Sequence, residues 1–292
     1  MPKIAVVTDS NSGISAAEAK CLGIYVVAMP FIMNEETFFE GETLSKEMFY
    51  ERMLAGDEIS TSQPSPEVII NLWDELLKSY DGIVYIPMSS ALSGSCSSAY
   101  ALSLEYDGRV SVIDNKRISG TQRLSVLDAL SLVKSGKSLE EITRILVEDS
   151  GNSTIYIMVD TLEYLKKGGR ITPAAAALGT LLRLKPVLMI QGGKLDAFAK
   201  ARTTKIGKEM MMNAIRNDII EKFDGDFSNE HLVLSVVHSD DLASAEKLKE
   251  ELSVAFPECG DILIEELTLS IATHIGPRAL AIYAVKRPEG VL

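Results

Sequence analysis

The sequence predicts an α/β protein: a domain with a mostly parallel sheet, followed by a domain of α+β character. In the first half, short apolar runs alternate with helix-like segments, the pattern of a parallel sheet covered on both faces. The second half contains two apolar runs joined by Gly192 and Gly193, a hairpin signal, and then mixed helices and strands. A chain of 292 residues can form two ordinary domains. We therefore predict an N-terminal domain at 1–150 and a C-terminal domain at 151–292.

The first half has clear helix boundaries. Ser45 is a suitable N-cap for a helix that ends at Gly56, and Ser65 is a suitable N-cap for a helix with Pro66 at its first position. The apolar runs between such helices are short enough to be buried strands. The predicted strands cover 3–9, 24–33, 82–88 and 109–114, and the predicted helices cover 15–23, 45–56, 66–80, 94–106, 120–134 and 139–148.

The second half follows a different order of elements. Two strands within 183–203 are joined by the glycine pair, and a long helix follows at about 203–223. A strand at 231–239 and a helix at 241–256 come next. Strands at 261–267 and 280–285 complete the domain, and no internal repeat of fixed period is present.

Composition excludes several classes of function. The net charge of -12 argues against a nucleic-acid partner, because phosphate backbones are bound through excess Lys and Arg. Three widely spaced cysteines form neither a disulfide framework nor a zinc motif, and together with the lack of a signal peptide they indicate a cytoplasmic protein. The most apolar stretch is broken by charged residues and a proline, so we expect no membrane span. No phosphate-binding glycine motif and no Gly-x-Ser-x-Gly nucleophile motif is present.

The stretch STSQPSP at 60–66 has more hydroxyl groups than a helix start requires. Ser65 serves as the cap, which leaves Thr61 and Ser62 without an assigned structural role. These two residues either bond their own backbone in a turn or bind a ligand.

A serine-rich stretch, SSALSGSCSSA at 89–99, follows a predicted parallel strand and leads into a helix. Ligands bind at the carboxyl ends of such strands, and a helix start offers free N–H groups to an anion. The alternative interpretation is a serine-rich loop with an ordinary N-cap.

The local charge reverses in the second half. Residues 163–208 contain ten basic side chains and two acidic ones, which indicates a surface for an acidic partner, a phosphate or an anionic membrane. The alternative is a set of scattered, solvated lysines. Alanine and methionine runs such as EMMMNAI suit either an adaptable apolar cavity or plain core. His274, predicted in a Gly-Pro loop between two strands, has either a structural role or contact with a ligand head group.

Together these motifs resemble the DegV family. The resemblance includes TDS at 8–10, TSQPS at 61–65, SSALSGS at 89–95 and DTLEYLKKGGRI at 160–171, and it continues through LKPVLMIQGGKL, ART at 201–203 and HIGP at 274–277. The motifs span almost the whole chain in family order. The resemblance implies a Rossmann-like N-terminal domain, an α+β C-terminal domain, and a long-chain fatty acid in a buried tunnel with its head group between the domains.

The resemblance also implies a function. Well-understood family members are the fatty-acid-binding subunits of bacterial fatty acid kinase: they are not enzymes themselves, and they present the carboxyl group to a kinase subunit that phosphorylates it with ATP. Carried onto this sequence, the carboxyl ligands are Thr61 and Ser93, supported by Ser62 and Gly94, with His274 close to the same head group. No cofactor or metal is implied. A further group of residues, Arg170 and Arg202, is expected to face the kinase subunit or the developing phosphate.

The sequence departs from the family pattern at two places beside these residues. Ser95 stands where Thr is usual, and Arg278 replaces the second glycine of a Gly-Pro-Gly loop, so a required positive φ would change the path of that loop. Two other functions remain open. One is a stand-alone esterase with Ser93 as nucleophile and His274 as base, and the other is a carrier for a different amphiphile.

Overall fold

The chain divides into two compact units, which we describe separately. A computed structural model describes residues 2–178, 184–191, 193–228 and 230–291. The first unit comprises Met1–Gly151, Thr268–Ser270 and Pro288–Leu292, and the second comprises Asn152–Leu267 and Ile271–Arg287.

The first unit contains the predicted parallel sheet. Its elements are β1 (Ile4–Asp9), α1 (Ala16–Leu22), β2 (Tyr25–Val27), β3 (Pro30–Met33), β4 (Glu36–Phe39), α2 (Lys46–Ala55), β5 (Ile59–Thr61), α3 (Pro66–Leu76), β6 (Gly82–Ile86), α4 (Ser95–Ser103), β7 (Val110–Val112), α5 (Ser119–Lys134) and α6 (Leu139–Glu148). The strand order β2-β1-β6-β7 is parallel throughout. The chain leaves β1 in one direction for β2 and returns to its other side for β6. The crevice between the ends of β1 and β6 is therefore the switch point where parallel sheets bind ligands.

Helices cover both faces of this sheet, as predicted. On one face, α3 and α4 pack through Trp73, which meets Tyr85 of β6 edge-on at 5.8 Å between ring centroids. On the other face, α5 and α6 bury Val126 and Leu146 against β1 and β6. Caps explain where these helices begin, because the Ser65 side chain accepts the Val68 N–H and Pro66 follows it. The predicted cap at Ser45 and stop at Gly56 are also confirmed.

The single strand predicted at 24–33 is wrong, because two strands in different sheets occupy it. β2 ends at Val27, and Pro30 begins β3, which pairs with β4 and β5 in a three-stranded antiparallel sheet. Between them, the Met29 N–H donates to Ser10 Oγ at 3.0 Å, which turns the chain away from the parallel sheet. β5 aligns Thr61 with Phe31, so this small sheet positions the stretch at 60–66.

The second unit is the mixed domain that the sequence predicts. Its elements are β8 (Ser153–Met158), α7 (Glu163–Gly168), α8 (Pro173–Leu178), β9 (Lys185–Ile190), β10 (Asp196–Ala201), α9 (Thr204–Lys222), β11 (Leu232–His238), α10 (Leu242–Ala255), β12 (Leu263–Glu266), α11 (Leu269–Ile275, whose first two residues belong to the first unit) and β13 (Leu280–Lys286). The strand order is β10-β9-β8-β13-β11-β12, parallel only between β11 and β12. β9 and β10 form the predicted antiparallel pair, but Gly192 of the predicted turn lies outside the described residues.

The methionine run in α9 contributes to an ordinary core. Met211 is fully buried, and Met210 and Met212 pack against the same cluster from partly exposed positions. None of the helices in the described part of the chain has the length and apolar character needed to cross a membrane.

Candidate functional site

A fully buried carboxylate joins the ends of β1 and β6 at the switch point. Asp9 Oδ2 accepts the Met88 N–H at 2.8 Å. Its Oδ1 accepts the Asn11 N–H at 3.0 Å, Asn11 Nδ2 at 2.9 Å and Gln122 Nε2 at 3.1 Å. Complete burial raises the pKa of Asp9, while these four donors favour the ionised form. Asp9 therefore fixes the start of the serine-rich loop relative to β1.

The first serines of that loop bond to the chain that follows β7. The Ser89 N–H donates to the Arg117 carbonyl at 2.9 Å. Ser90 donates to the Asp114 carboxylate twice, from its N–H at 3.1 Å and from its hydroxyl at 2.6 Å. Ser89 and Ser90 thus have structural roles and leave the later hydroxyls as candidates for ligand contact.

The Ser93 hydroxyl makes two local hydrogen bonds that the sequence does not predict. Its Oγ accepts the Ser95 N–H at 3.2 Å and donates to Ser95 Oγ at 3.0 Å. Gly94 occupies the cap position of α4 and supplies no side chain, so the Ser93 hydroxyl satisfies part of the helix start. Ser93 therefore has a local structural role at the helix start, as in the alternative interpretation of this stretch as a serine-rich loop. To bond a carboxylate, Ser93 must turn its proton away from Ser95 toward the ligand.

Thr61 and Ser62 lie outside the helix cap, as expected. Thr61 is the last residue of β5 and is partly buried. The Ser62 N–H donates to the Pro30 carbonyl at 3.1 Å, which extends the pairing beyond the strand, while the residue itself is exposed. The cap of α3 is made by Ser65, three residues further on. The hydroxyls of Thr61 and Ser62 are therefore not needed to start α3.

The stretch at 60–66 meets the start of α4 through Gln63. Gln63 Oε1 accepts the Ser98 hydroxyl at 3.1 Å. A Cβ built on Gly94 would lie 3.3 Å from the same oxygen. The structure thus brings the segments that carry Thr61 and Ser93 together beside the first turn of α4.

In the second unit, His274 lies in the last turn of α11, and the predicted position in a loop is wrong. A Cβ on Gly168, the last residue of α7, would lie 2.2 Å from His274 Nδ1, so only glycine fits there. Burial, and secondarily the charge of Arg170, lower the pKa of His274 to about 4. The imidazole is therefore neutral at pH 7. Arg170 Nη1 donates to the Gly168 carbonyl, which holds the double-glycine turn beside this ring.

Arg278 adopts the left-handed conformation that a glycine would favour. Its φ is +60°, and its N–H donates to the Ser239 carbonyl at 2.6 Å. Its guanidinium pairs with Asp160 Oδ2 at 2.7 Å, while Lys185 takes Asp160 Oδ1 at 2.7 Å. Arg278 thus keeps the backbone conformation that glycine favours, at the cost of strain, and its side chain forms an ion pair with Asp160.

The basic segment, residues 163–208, has only some of its basic side chains exposed to a partner. Lys185 is paired with Asp160 and Lys208 with Glu251, and Arg183 lies outside the described residues. The exposed members are Lys166, Lys167, Lys194, Lys200, Arg202 and Lys205, and Arg170 is partly buried. Within the described parts of the chain, no cluster of His, Cys, Asp and Glu is suited to hold a metal ion.

The fold is that of a two-unit α/β protein in which polar and hydroxyl-bearing side chains follow β1 and β6 of the parallel sheet. A sequence model described as uncharacterised protein, DegV family, matches residues 3–287. Protein DegV of Bacillus subtilis is 34% identical over 283 residues, which cover 96% of this chain and 98% of that protein. The chain belongs to the DegV family.

Solved structures of similar proteins support the same assignment. A DegV family protein of Thermus thermophilus, described for its fatty acid binding, gives a TM-score of 0.88 at 31% identity, covering 97% of this chain and 99% of that chain. DegV of Bacillus subtilis, described as a fatty acid binding protein, gives a TM-score of 0.86 at 31% identity, covering 98% of this chain and all (100%) of that chain. Fatty acid binding is thus a property of structural neighbours that match along nearly the whole chain.

Proposed function

We propose that this protein binds a long-chain fatty acid, with Thr61 and Ser93 as carboxyl ligands and with Ser62 and Gly94 beside them. The observation that carries the proposal is the contact of the two segments through Gln63 at the first turn of α4. Thr61 lies outside the helix cap, and the Ser93 hydroxyl has an exchangeable partner in Ser95. The fatty acid binding of similar DegV proteins supports the choice of ligand.

Hydroxyl ligands suit a fatty acid because the tail provides most of the affinity. A tail of about sixteen carbons contributes roughly 0.8 kcal/mol per buried methylene, or about 12 kcal/mol before the costs of binding. The head group then needs orientation more than attraction. Neutral hydroxyls bond a carboxylate without the desolvation cost of a buried ion pair. They also leave one carboxyl oxygen open to a second protein.

The second part of the proposal is that a separate kinase subunit phosphorylates this carboxyl with ATP. Arg202 is exposed at the end of β10, and Arg170 is partly buried after α7, both within the basic segment. The neutral His274 ring can donate or accept a hydrogen bond at a carboxyl without adding charge. In this role Arg170 and Arg202 attract the acidic phosphate, and the exposed lysines favour brief contact with an anionic membrane. Because ATP is the phosphate donor, the protein acts in the cytoplasm.

Native mass spectrometry of the purified protein, followed by extraction and identification of the ligand, tests fatty acid binding. We expect one long-chain fatty acid per chain. A different amphiphile in the extract supports the alternative carrier function, and an empty protein that also fails to take up added hexadecanoic acid contradicts the proposal.

The proposed contact of Arg170 and Arg202 with the kinase subunit is tested by measuring phosphorylation and fatty acid affinity separately. We predict that Arg170→Ala and Arg202→Ala impair phosphorylation by a cognate kinase subunit and leave fatty acid affinity nearly unchanged. Arg144→Ala is the matched control for Arg202→Ala, because both are exposed arginines and Arg144 lies on α6, outside residues 163–208. If affinity falls in proportion to phosphorylation, the two arginines belong to the lipid site and not to a partner surface.

The esterase alternative has little physical support. A base with a pKa of about 4 is weak at neutral pH, and burial of His274 is the main cause of that value. Steady hydrolysis of p-nitrophenyl esters that disappears in Ser93→Ala would establish the esterase instead.

A further inference from the structure

Gln63 is the residue through which the stretch at 60–66 contacts α4. It lies between the end of β5 and Pro64, which is buried. A residue before proline is restricted to extended backbone, so the direction of the Gln63 side chain is limited before any ligand binds. Its Oε1 accepts the Ser98 hydroxyl one turn into α4, a contact between residues 35 positions apart in the chain.

The space for this amide depends on Gly94. Gly94 has a φ of -70° and a ψ of -12°, which any residue can adopt. Its lack of a side chain is therefore not required by the backbone. A Cβ there would lie 3.3 Å from Gln63 Oε1, closer than ordinary van der Waals contact, so a side chain at position 94 would make the Gln63 amide shift by a few tenths of an ångström. Gly94 and Ser98 together form the seat of the Gln63 amide.

We propose that Gln63 is a positioning residue for the head-group site. By fixing the segment of Thr61 to the helix start beside Ser93, it sets the separation of the two hydroxyls before a ligand arrives. Pre-set ligands lose less conformational freedom on binding, and one carboxyl can bond two hydroxyls only if their separation matches. This inference rests on the proposed fatty acid binding, and it assigns Gln63 no direct contact with the lipid.

The distinguishing consequence concerns the head group alone. Loss of the Gln63 contact loosens the hydroxyl pair and leaves the environment of the tail unchanged. Affinity for a fatty acid should therefore fall about two- to tenfold, the value of one hydrogen bond between neutral groups, while affinity for the fatty alcohol of equal length stays constant. A residue needed only for folding would reduce both affinities together.

The experiment compares hexadecanoic acid with 1-hexadecanol as competitors of a fluorescent fatty acid on the full-length protein. The variants are Gln63→Ala, Ser98→Ala and their combination, and Ser97→Ala is the control because Ser97 is the exposed neighbour of Ser98 on α4. Each of the two single variants should reduce the preference for the acid, and the combination should reduce it no further, since both remove one contact. Ser97→Ala should keep the wild-type preference.

Gly94→Ala tests whether the glycine at position 94 makes room for the Gln63 side chain or contacts the ligand directly. If the new methyl group acts by displacing Gln63, it should weaken acid binding in the wild type and add nothing in the Gln63→Ala background. An equal loss in both backgrounds would mean that Gly94 contacts the ligand directly.

The outcomes for this inference and for the proposed function are distinct. A wild type that binds neither hexadecanoic acid nor the alcohol overturns fatty acid binding itself. A wild type that prefers the acid, with the same preference in Gln63→Ala and Ser98→Ala, overturns only the role of Gln63. Equal losses for acid and alcohol also overturn it, since they indicate a folding role.

Discussion

Arg278 offers a direct test of how this chain tolerates an unusual backbone conformation. Its φ of +60° is strained for any residue with a side chain, and the strain is absent for glycine. We predict that Arg278→Gly is more stable than Arg278→Ala. Both variants lose the ion pair with Asp160, so the pair itself does not enter the comparison.

The expected difference follows from two opposing effects. Relief of the left-handed conformation is worth about 1–2 kcal/mol. The greater freedom of glycine in the unfolded chain costs about 0.4–1 kcal/mol. The glycine variant should therefore be about 0.8 kcal/mol more stable than the alanine variant, within a range of about 0–1.6 kcal/mol. The Arg278 side chain is 66% exposed, so its pair with Asp160 adds at most about 1 kcal/mol to the wild type.

Amide hydrogen exchange of β13 measures this difference in the element that directly follows the loop. Lys247 is the matched control, because it is exposed in the interior of α10 within the same unit. There the order should reverse, with Lys247→Ala about 1 kcal/mol more stable than Lys247→Gly. If the alanine variant at position 278 is more stable than the glycine variant, as at position 247, the strain argument is refuted.

Two further predictions concern buried titratable groups. Asp9→Asn should destabilise the first unit by about 1.5–3 kcal/mol, because an amide cannot accept all four N–H groups around the carboxylate. Unfolding followed by the fluorescence of Trp73, the single tryptophan, should show a transition at lower denaturant concentration. An unchanged midpoint would contradict the role of Asp9. His274 should favour the folded state in its neutral form, since its pKa is lowered to about 4. Its stabilisation is complete above about pH 6.5 and is lost as the pH falls toward 4, so the stability difference between wild type and His274→Gln should shrink by up to about 3 kcal/mol over that range. An imidazole NMR signal of His274 that titrates near pH 6.5 would contradict this prediction, because it would show that burial does not lower the pKa of the ring.

Local signals in the sequence predicted much of the fold. Ser45 and Ser65 begin their helices as predicted, because an N-cap bonds only to residues two or three positions away. The parallel sheet could also be predicted from the sequence, since its strands are continuous apolar runs between helices. The motif at 60–66 was correctly divided into a cap at Ser65 and other hydroxyls before it.

Contacts between distant residues were not predictable in the same way. β4 and β5 are short and partly polar, and they form strands only because β3 lies between them. Asp9 meets Met88 across 79 positions and Gln122 across 113, and no local pattern reports such pairs. The local role of Ser93 could not be decided from the sequence, because a serine near a helix start can bond the backbone or a ligand equally well.

The affinity of delipidated protein for a fluorescent fatty acid, measured for wild type, Thr61→Val and Ser65→Ala, tests the central claim most directly. Thr61→Val preserves shape and removes one hydroxyl, and Ser65→Ala removes a hydroxyl of the same segment that serves only the cap of α3. If Thr61 bonds a charged carboxylate, its loss should weaken binding by about 1.5–3 kcal/mol, or roughly 10- to 150-fold, while Ser65→Ala binds like the wild type. Wild-type affinity in Thr61→Val, or an equal weakening in Ser65→Ala, would contradict the assignment of the head-group site.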